Sequence, residues 1–399
     1  MEYWMRRRGL TRRIFADRMG RSVSWVDKVK SGDRQLDRLS VLEQIADVLG
    51  VPLHGLIDLD EADRAGQCAD EVEIAELRAA LQRYDGLCGD PGDGERDLAR
   101  LRRDVHYGWL SFQASNYQIV TRLLPDLLVN LQQAYRALDG DPQWTAAELL
   151  VQAYWLAAEV SFKFGRMELG WIAADRGITV AEWTADLTLV GATTRRLVHA
   201  MMAGSDAAGR RRAIDLVRAT AARMEPGLGA ASPGYLSAYG MLFLKGSIAA
   251  ARLGEAGTAR DLNAEAATAA RLLGGDRNEH WSAFGPTNVG VHRVTALAEL
   301  HEGGRAVERA GELGAEQLSR LPRERRANHL LDVARGYGQW GRRDEAVALV
   351  LEADSLAQEE VRCRPLTQTL VTELVRSHPR GTAPSVPLAR LAREIGIQV

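Results

Sequence analysis

AYWLAAEVSFKFGRMELGWIAADRG, residues 153–177, sets two apolar helical stretches either side of Gly165, with a second small residue, Gly170, five positions further on. The frame returns in LFLKGSIAAARLGEAGTARDLNAEA (242–266) around Gly254 and Ala259, and in LLDVARGYGQWGRRDEAVALVLEA (330–353) around Gly341 and Ala346. Weaker copies fit around Ala213 and Ala306, so the units recur every forty to forty-seven residues. Self-similarity at such a period marks helix pairs that stack, because one pair cannot bury its own apolar face. The small residues are required where paired helices approach closely. From about residue 98 onward there is almost no strand signal, and the expected fold class is all-α: an N-terminal five-helix unit followed by an α-solenoid of helix pairs.

These three stretches resemble tetratricopeptide repeats, although the family's unit is about thirty-four residues and the spacing here is longer. The resemblance implies that first-helix positions two, five, six and nine line a concave groove. Aligned on the small residue, Gln152, Asn288 and Asn328 fall at position two, His199, Lys245, His292 and Asp332 at position six, and Glu159 and Arg335 at position nine. Paired amides suit an extended peptide, since each offers a donor and an acceptor, and the charged positions would select charge. WSAFGPTNVGVH (281–292) adds Trp281, in an apolar loop that leads into Asn288. Its alternative reading is a helix start capped by Thr287, with the aromatics filling a junction between repeats.

With 399 residues, 46% of them apolar and 26% charged, the chain has room for two or three cored domains. Cys68, Cys88 and Cys363 are unevenly spaced and form no CxxC pair, which supports neither a disulfide framework nor a zinc cluster and fits a reducing cytoplasm. The start, MEYWMRRRGLTRR, lacks the apolar stretch of a signal peptide, and YLSAYGMLFLKGSIAAARL is interrupted by Lys245, so no membrane segment is expected. Charge is unevenly distributed. Residues 1–38 hold eleven Lys/Arg against five Asp/Glu, in a chain whose net charge is −2.

Within that basic segment the spacing predicts a helix at 2–8. A second follows capped by Thr11, with Ile14, Phe15 and Met19 inward, and a third after Gly20, capped by Ser22, with Val26 and Val29 inward. Helical spacing continues from Leu36 to Leu49. GLTRRIFADRMGRSVSWVDKVKSG, followed by LSVLEQIADVLGVPLHGLI, resembles the lambda-repressor-like (XRE) helix-turn-helix family over residues 1–57. The resemblance implies duplex DNA as partner, with Arg12 on a phosphate and Val23, Ser24 and Lys28 facing bases from the recognition helix. Lys28 suits guanine, Ser24 is permissive, and Val23 suits a thymine methyl. Trp25 and Asp27 flank these readers, an aromatic at Trp25's helical spacing being more often packing than readout, and Ser22, Arg13, Arg18, Arg21, Lys30 and Arg34 are further candidate DNA contacts, the arginines and lysine on phosphates. The family's amide or guanidinium at the first two reading positions is missing, so DNA shape is expected to contribute more.

Residues 58–97 read as a linker carrying one docking helix, Glu71–Tyr84, and residues 98–399 as the repeat domain. GYGQWG (336–341) satisfies a dinucleotide-loop pattern, but a helix precedes it rather than a strand. No catalytic constellation is present, and no cofactor or metal is expected. A helix-turn-helix ahead of tetratricopeptide-like repeats resembles signal-responsive regulators of Gram-positive bacteria, and the excess of Arg over Lys fits the actinobacterial type. The resemblance implies a cytoplasmic, non-enzymatic regulator whose repeats form a homodimer and sense a peptide or small molecule. The rival reading is a protein-interaction scaffold whose N-terminal unit does not bind DNA.

Overall fold

In the computed structural model the described residues are 5, 10–31, 41, 44–45, 48–49, 71–84, 97–203, 206–377 and 384–397. The helix expected at 2–8, most of the stretch 36–50 and most of the linker lie outside them. Contacts divide the chain into two compact units, Met1–Glu76 and Leu77–Val399.

In the first unit, α1 (Arg12–Arg18) and α2 (Val23–Lys30) are joined by a turn in which Gly20 has φ +61°. Their starts are capped as the sequence indicates: Thr11 Oγ1 accepts from the Ile14 amide at 3.3 Å, and Ser22 Oγ from the Trp25 amide at 3.2 Å. Phe15, Ala16, Met19, Trp25 and Val26 form a core with Ile45 and Leu49. Ile14 departs from expectation and is 43% exposed. With Phe15 and Met19 on the buried stripe, residue 14 lies about 100° round the helix from Phe15, toward solvent.

The boundary between units falls within α3 (Glu71–Leu81). On the second unit's side, Leu77 and Leu81 are buried, and Arg78 pairs with Glu168 at 3.5 Å.

Among its described residues the second unit has helices joined by turns and loops and no strand. Its first helices are α4 (Leu98–Gln113), α5 (Tyr117–Ala137), α6 (Gly140–Lys163), α7 (Met167–Trp183), α8 (Leu187–Ala203) and α9 (Ala207–Met224). Next come α10 (Pro233–Arg252), α11 (Ala256–Leu273), α12 (Pro286–Glu299), α13 (Gly303–Gly311) and the short α14 (Ala315–Ser319). The last are α15 (Arg323–Gln339), α16 (Arg343–Leu356), α17 (Gln358–Arg362), α18 (Pro365–Arg376) and α19 (Val386–Glu394). The three repeat stretches map onto α6–α7, α10–α11 and α15–α16, and the weaker copies onto α8–α9 and α12–α13. GYGQWG spans the end of α15 and its closing turn, with no strand before it.

One turn recurs between the helices of a pair. Its left-handed residue is Gly165, Gly254 or Gly341, and the next residue's amide returns to a carbonyl five positions back, as in Arg166 to Ser161 at 2.9 Å, Glu255 to Ala250 at 3.0 Å and Arg342 to Tyr337 at 2.9 Å. Ser115 between α4 and α5 (φ +63°) and His301 between α12 and α13 (φ +59°) make the same turn. A glycine search could not see these two, because the turn needs the conformation and not the residue. A side chain in that region costs about 1–2 kcal/mol, partly offset because glycine loosens the unfolded chain. His301 is exposed. His301→Gly is therefore expected to stabilise the protein by roughly 0.5–1 kcal/mol in denaturant titration, and His301→Ala is not.

The first helices of successive pairs pack side by side, α4 on α6, then α8, α10, α12 and α15, and α15 returns to touch α4. The solenoid thus closes into a ring, with the second helices outside. Closure is fastened at the chain's end: the Tyr117 hydroxyl donates to Glu360 on α17, the Gln118 amide to Glu359 at 3.0 Å, and Pro365 seats against Gly165. Contrary to the cysteine reading, Cys363 is disulfide-bonded, and its partner lies outside the described residues. Among the described residues no helix is long and apolar enough to cross a membrane, and no His/Cys/Asp/Glu cluster is placed to hold a metal.

Candidate nucleic-acid interface and ring cavity

The turn before α2 and the helix's outward face present Arg21, Ser22, Val23, Ser24, Lys28 and Lys30, all exposed, with Arg12 and Arg13 exposed at the start of α1. Val23 is 40% exposed, so its methyls are free to meet a base. Trp25 requires correction: it is 8% exposed and packs in the core, with the Arg21 guanidinium 5.8 Å from its ring centroid. Residues 25, 26 and 29 form the inner stripe of α2, which leaves 23, 24 and 28 outside. Asp27 also lies on the outer side and pairs with Arg12 at 3.2 Å. Both partners are largely solvated, so this contact is weak and easily exchanged for a phosphate. Arg34 lies outside the described residues.

Inside the ring is a cavity of about 220 Å³. Glu159, Lys245, His292, Asn328, Asp332 and Arg335 line it, together with His199. Apart from Asn328, which comes from position two, these are the position-six and position-nine residues of the repeat frame, brought together because equivalent faces of α6, α8, α10, α12 and α15 all turn inward. Position thirteen continues the same stripe, and Lys163, Arg252 and Glu299 sit there in the lining, as do Arg195, Glu324, Arg325 and Arg364 from neighbouring turns.

Gln152, Trp281 and Asn288 do not line the cavity, because the loop between α11 and α12 fills that end of the ring. Trp281 stacks on Trp109, centroids 5.8 Å apart and planes 4° from parallel, and its Nε1 donates to Gln152 Oε1 at 3.3 Å. Asn288 is fully buried, its amide donating to Ser282 O at 3.3 Å and its Oδ1 3.1 Å from His292 Nδ1. Thr287 is not the cap of α12: Asp276 accepts from both its amide and its hydroxyl, at 3.0 and 2.6 Å.

Asn328 reaches the cavity with its amide already committed. Nδ2 donates to Glu324 O at 3.0 Å and to Glu324 Oε1 at 2.6 Å, while Oδ1 accepts from Arg364. Neither asparagine is therefore available to read a peptide backbone.

The carboxylates of the lining are all paired. Glu159 meets Arg195 at 2.7 Å, and Glu299 meets Arg252 at 3.1 Å and Arg335 at 3.4 Å. Asp332 accepts from Thr295 at 2.6 Å and Arg335 at 3.3 Å. Glu324 pairs with Lys163, which also reaches Glu360 at 2.7 Å. Burial favours the protonated form of Glu159, but Arg195 and Arg196 outweigh it and hold the carboxyl at about 2. Burial, then Lys245 for His199 and Arg325 for His292, push both imidazoles well below the ordinary histidine range, so both are neutral at pH 7.

A family model described as a helix-turn-helix domain matches residues 4–57. The chain therefore carries such a domain at its N-terminal end. No curated protein matches the chain.

Proposed function

We propose that this chain is a transcription regulator and not an enzyme: its N-terminal unit binds duplex DNA through the outer face of α2, and its ring of helix pairs senses a signal. The observation that carries the reading is the helix-turn-helix match over residues 4–57, on a segment whose basic and base-compatible side chains are exposed while Trp25 and Val26 are spent on the core. An α-helix of this width fits the major groove, where Lys28, Ser24 and Val23 have the chemistry to read base edges. So thin a reading set gives a single copy little discrimination. We infer that two copies act on adjacent half-sites about one DNA turn apart, coupled through the second unit.

The test separates positioning from reading. Arg12→Ala is expected to weaken binding to all duplexes alike and to lower the salt slope by about one contact, whereas Lys28→Ala costs about 1–3 kcal/mol at one base position and relaxes preference there. Binding profiles selected from random duplex, at two salt concentrations, check both. An unchanged preferred sequence in Lys28→Ala removes the assigned register. Absence of salt-dependent duplex binding by the whole chain removes the regulator reading in favour of a protein-interaction role.

A further inference from the structure

The ring's cavity combines buried donors that lack acceptors with an excess of positive charge. Seven Lys and Arg side chains line it against four carboxylates. Even with Glu360, buried beneath Lys163 and Arg364, the cations exceed the carboxylates by two. Lys245 is the lining cation that makes neither a hydrogen bond nor an ion pair among the described residues. It sits on α10 between buried neighbours, its ammonium directed at the cavity that Glu159, Arg195 and His292 share. Two further nitrogens are buried without a hydrogen-bond partner: His199 Nδ1, which is a donor in one of the two neutral tautomers, and Arg325 Nε, the latter 3.8 Å from Glu324. The acceptors present are committed elsewhere: Glu159 to Arg195, Glu299 to Arg252, Asp332 to Thr295 and Arg335, and Asn328 to Arg364.

We propose that this cavity binds a small organic anion, a carboxylate or a phosphate ester, whose acidic oxygens accept hydrogen bonds from Lys245, His199 and Arg325. Three features favour it over an extended peptide. The volume, about 220 Å³, is below the roughly 300–1,000 Å³ of sites for drug-sized ligands. The amides suited to peptide backbone are already used. An uncharged ligand would leave the lining's excess of two cations uncompensated, which is costly away from bulk water. Burial lowers the Lys245 ammonium to about 7, with Glu159 opposing the shift and Arg195, Arg325 and Arg252 adding to it. An unpaired lysine held this way destabilises the fold, and residues kept at such a cost are characteristic of binding sites.

The proposal supplies the class of signal for the sensing role described above and rests on that reading only for its consequence, so binding and DNA response are measured separately. The full chain is titrated with inorganic phosphate, glucose 6-phosphate, succinate and citrate at constant ionic strength set by sodium chloride, with glucose as the uncharged control, and Tm is followed. Binding to the native state raises Tm in a saturable way. We expect saturation with the phosphate probes or with the carboxylates, whichever is the physiological class, and no shift with glucose. Lys245→Met should have a higher Tm than the unsubstituted chain without ligand, which shows that it folds, and should bind the effective anion at least tenfold more weakly. Arg325→Gln should weaken it in the same direction. The proposal is overturned if no anion moves Tm beyond sodium chloride, if glucose is as effective, or if Lys245→Met responds like the unsubstituted chain. If the anion binds and the affinity for duplex DNA does not change, the anion site stands and the sensing role falls.

Discussion

Replacing Lys163 by Met is expected to cost about 3–5 kcal/mol of stability, the usual consequence of removing one partner from a buried ion cluster. Lys163, at the end of α6, bridges Glu324 on α15 and Glu360 on α17, and the latter carboxylate also accepts from Tyr117 on α5. Its ammonium lies 5.7 Å from the Phe112 ring centroid and 5.8 Å from that of Tyr117. Burial raises the Tyr117 hydroxyl well above its ordinary range, and Glu360 and Glu324 raise it further, so it stays a donor. Without Lys163 two buried carboxylates face each other across the point where the ring closes.

The pH dependence identifies the cause. Burial disfavours ionised Glu324, but Lys163 and then Arg325 outweigh it and hold its carboxyl below the usual carboxylate range. A depressed carboxyl contributes stability above its unfolded value, near 4.3, that is lost as pH falls through the folded value. In Lys163→Met the same carboxyl has lost its main cation, and protonation relieves the variant. The deficit between the two proteins should therefore narrow as pH is lowered from 7 toward 4, measured by denaturant titration at each pH. A deficit independent of pH would mean that packing of the lysine stem, and not its charge, holds the ring shut.

The second large effect is expected at Phe284, where truncation to Ala should cost about 3–5 kcal/mol. The ring is fully buried against α10, so close to Gly240 that a methyl group there would stand 2.0 Å from its Cζ. It anchors a loop whose backbone is strained: His280, Trp281 and Ala283 have φ of +47°, +60° and +48°. Such residues persist only where the surroundings over-determine them. The constraints are Phe284, the Trp281–Trp109 stack, Asn278 accepting from the Ala283 amide at 3.0 Å, and Asp276 bonded to Thr287. Without Phe284 the plug should release, exposing Trp109 and Trp281 to water. A red-shifted, more quenchable tryptophan emission before global unfolding is the expected signature. Unchanged emission up to the main transition would show that the loop is held by its polar contacts alone.

Much of this protein is local and therefore legible in the chain. Thr11 and Ser22 cap their helices because a hydroxyl at that position satisfies an orphan amide whatever surrounds it, and Gly165, Gly254 and Gly341 mark left-handed turns because few other residues adopt them cheaply. The inward stripe followed from the resemblance to tetratricopeptide repeats, whose frame implies that Glu159, Lys245, His292, Asp332 and Arg335 stand on equivalent faces, and helical periodicity is what keeps positions six and nine on one side of each helix. Trp25 was ambiguous, since an exposed reader and a buried anchor share the same spacing until the partner helix is present. Position thirteen, with Lys163 and Arg252, was readable by one more turn of the same periodicity.

What the tertiary structure decided is non-local. Whether a stack of helix pairs stays open or closes depends on small rotations summed over successive pairs, which no single unit encodes. Closure from α15 back to α4, and the Lys163–Glu360 contact 197 residues apart in sequence, turn an expected open groove into a cavity inside a ring. Packing around the ring then decides the chemistry, because the asparagines that would read a peptide in an open groove are consumed by Glu324, Arg364 and Ser282. Lys245, which has no hydrogen-bond or ion-pair partner among the described residues, is left facing the cavity, where the proposed anion would meet it.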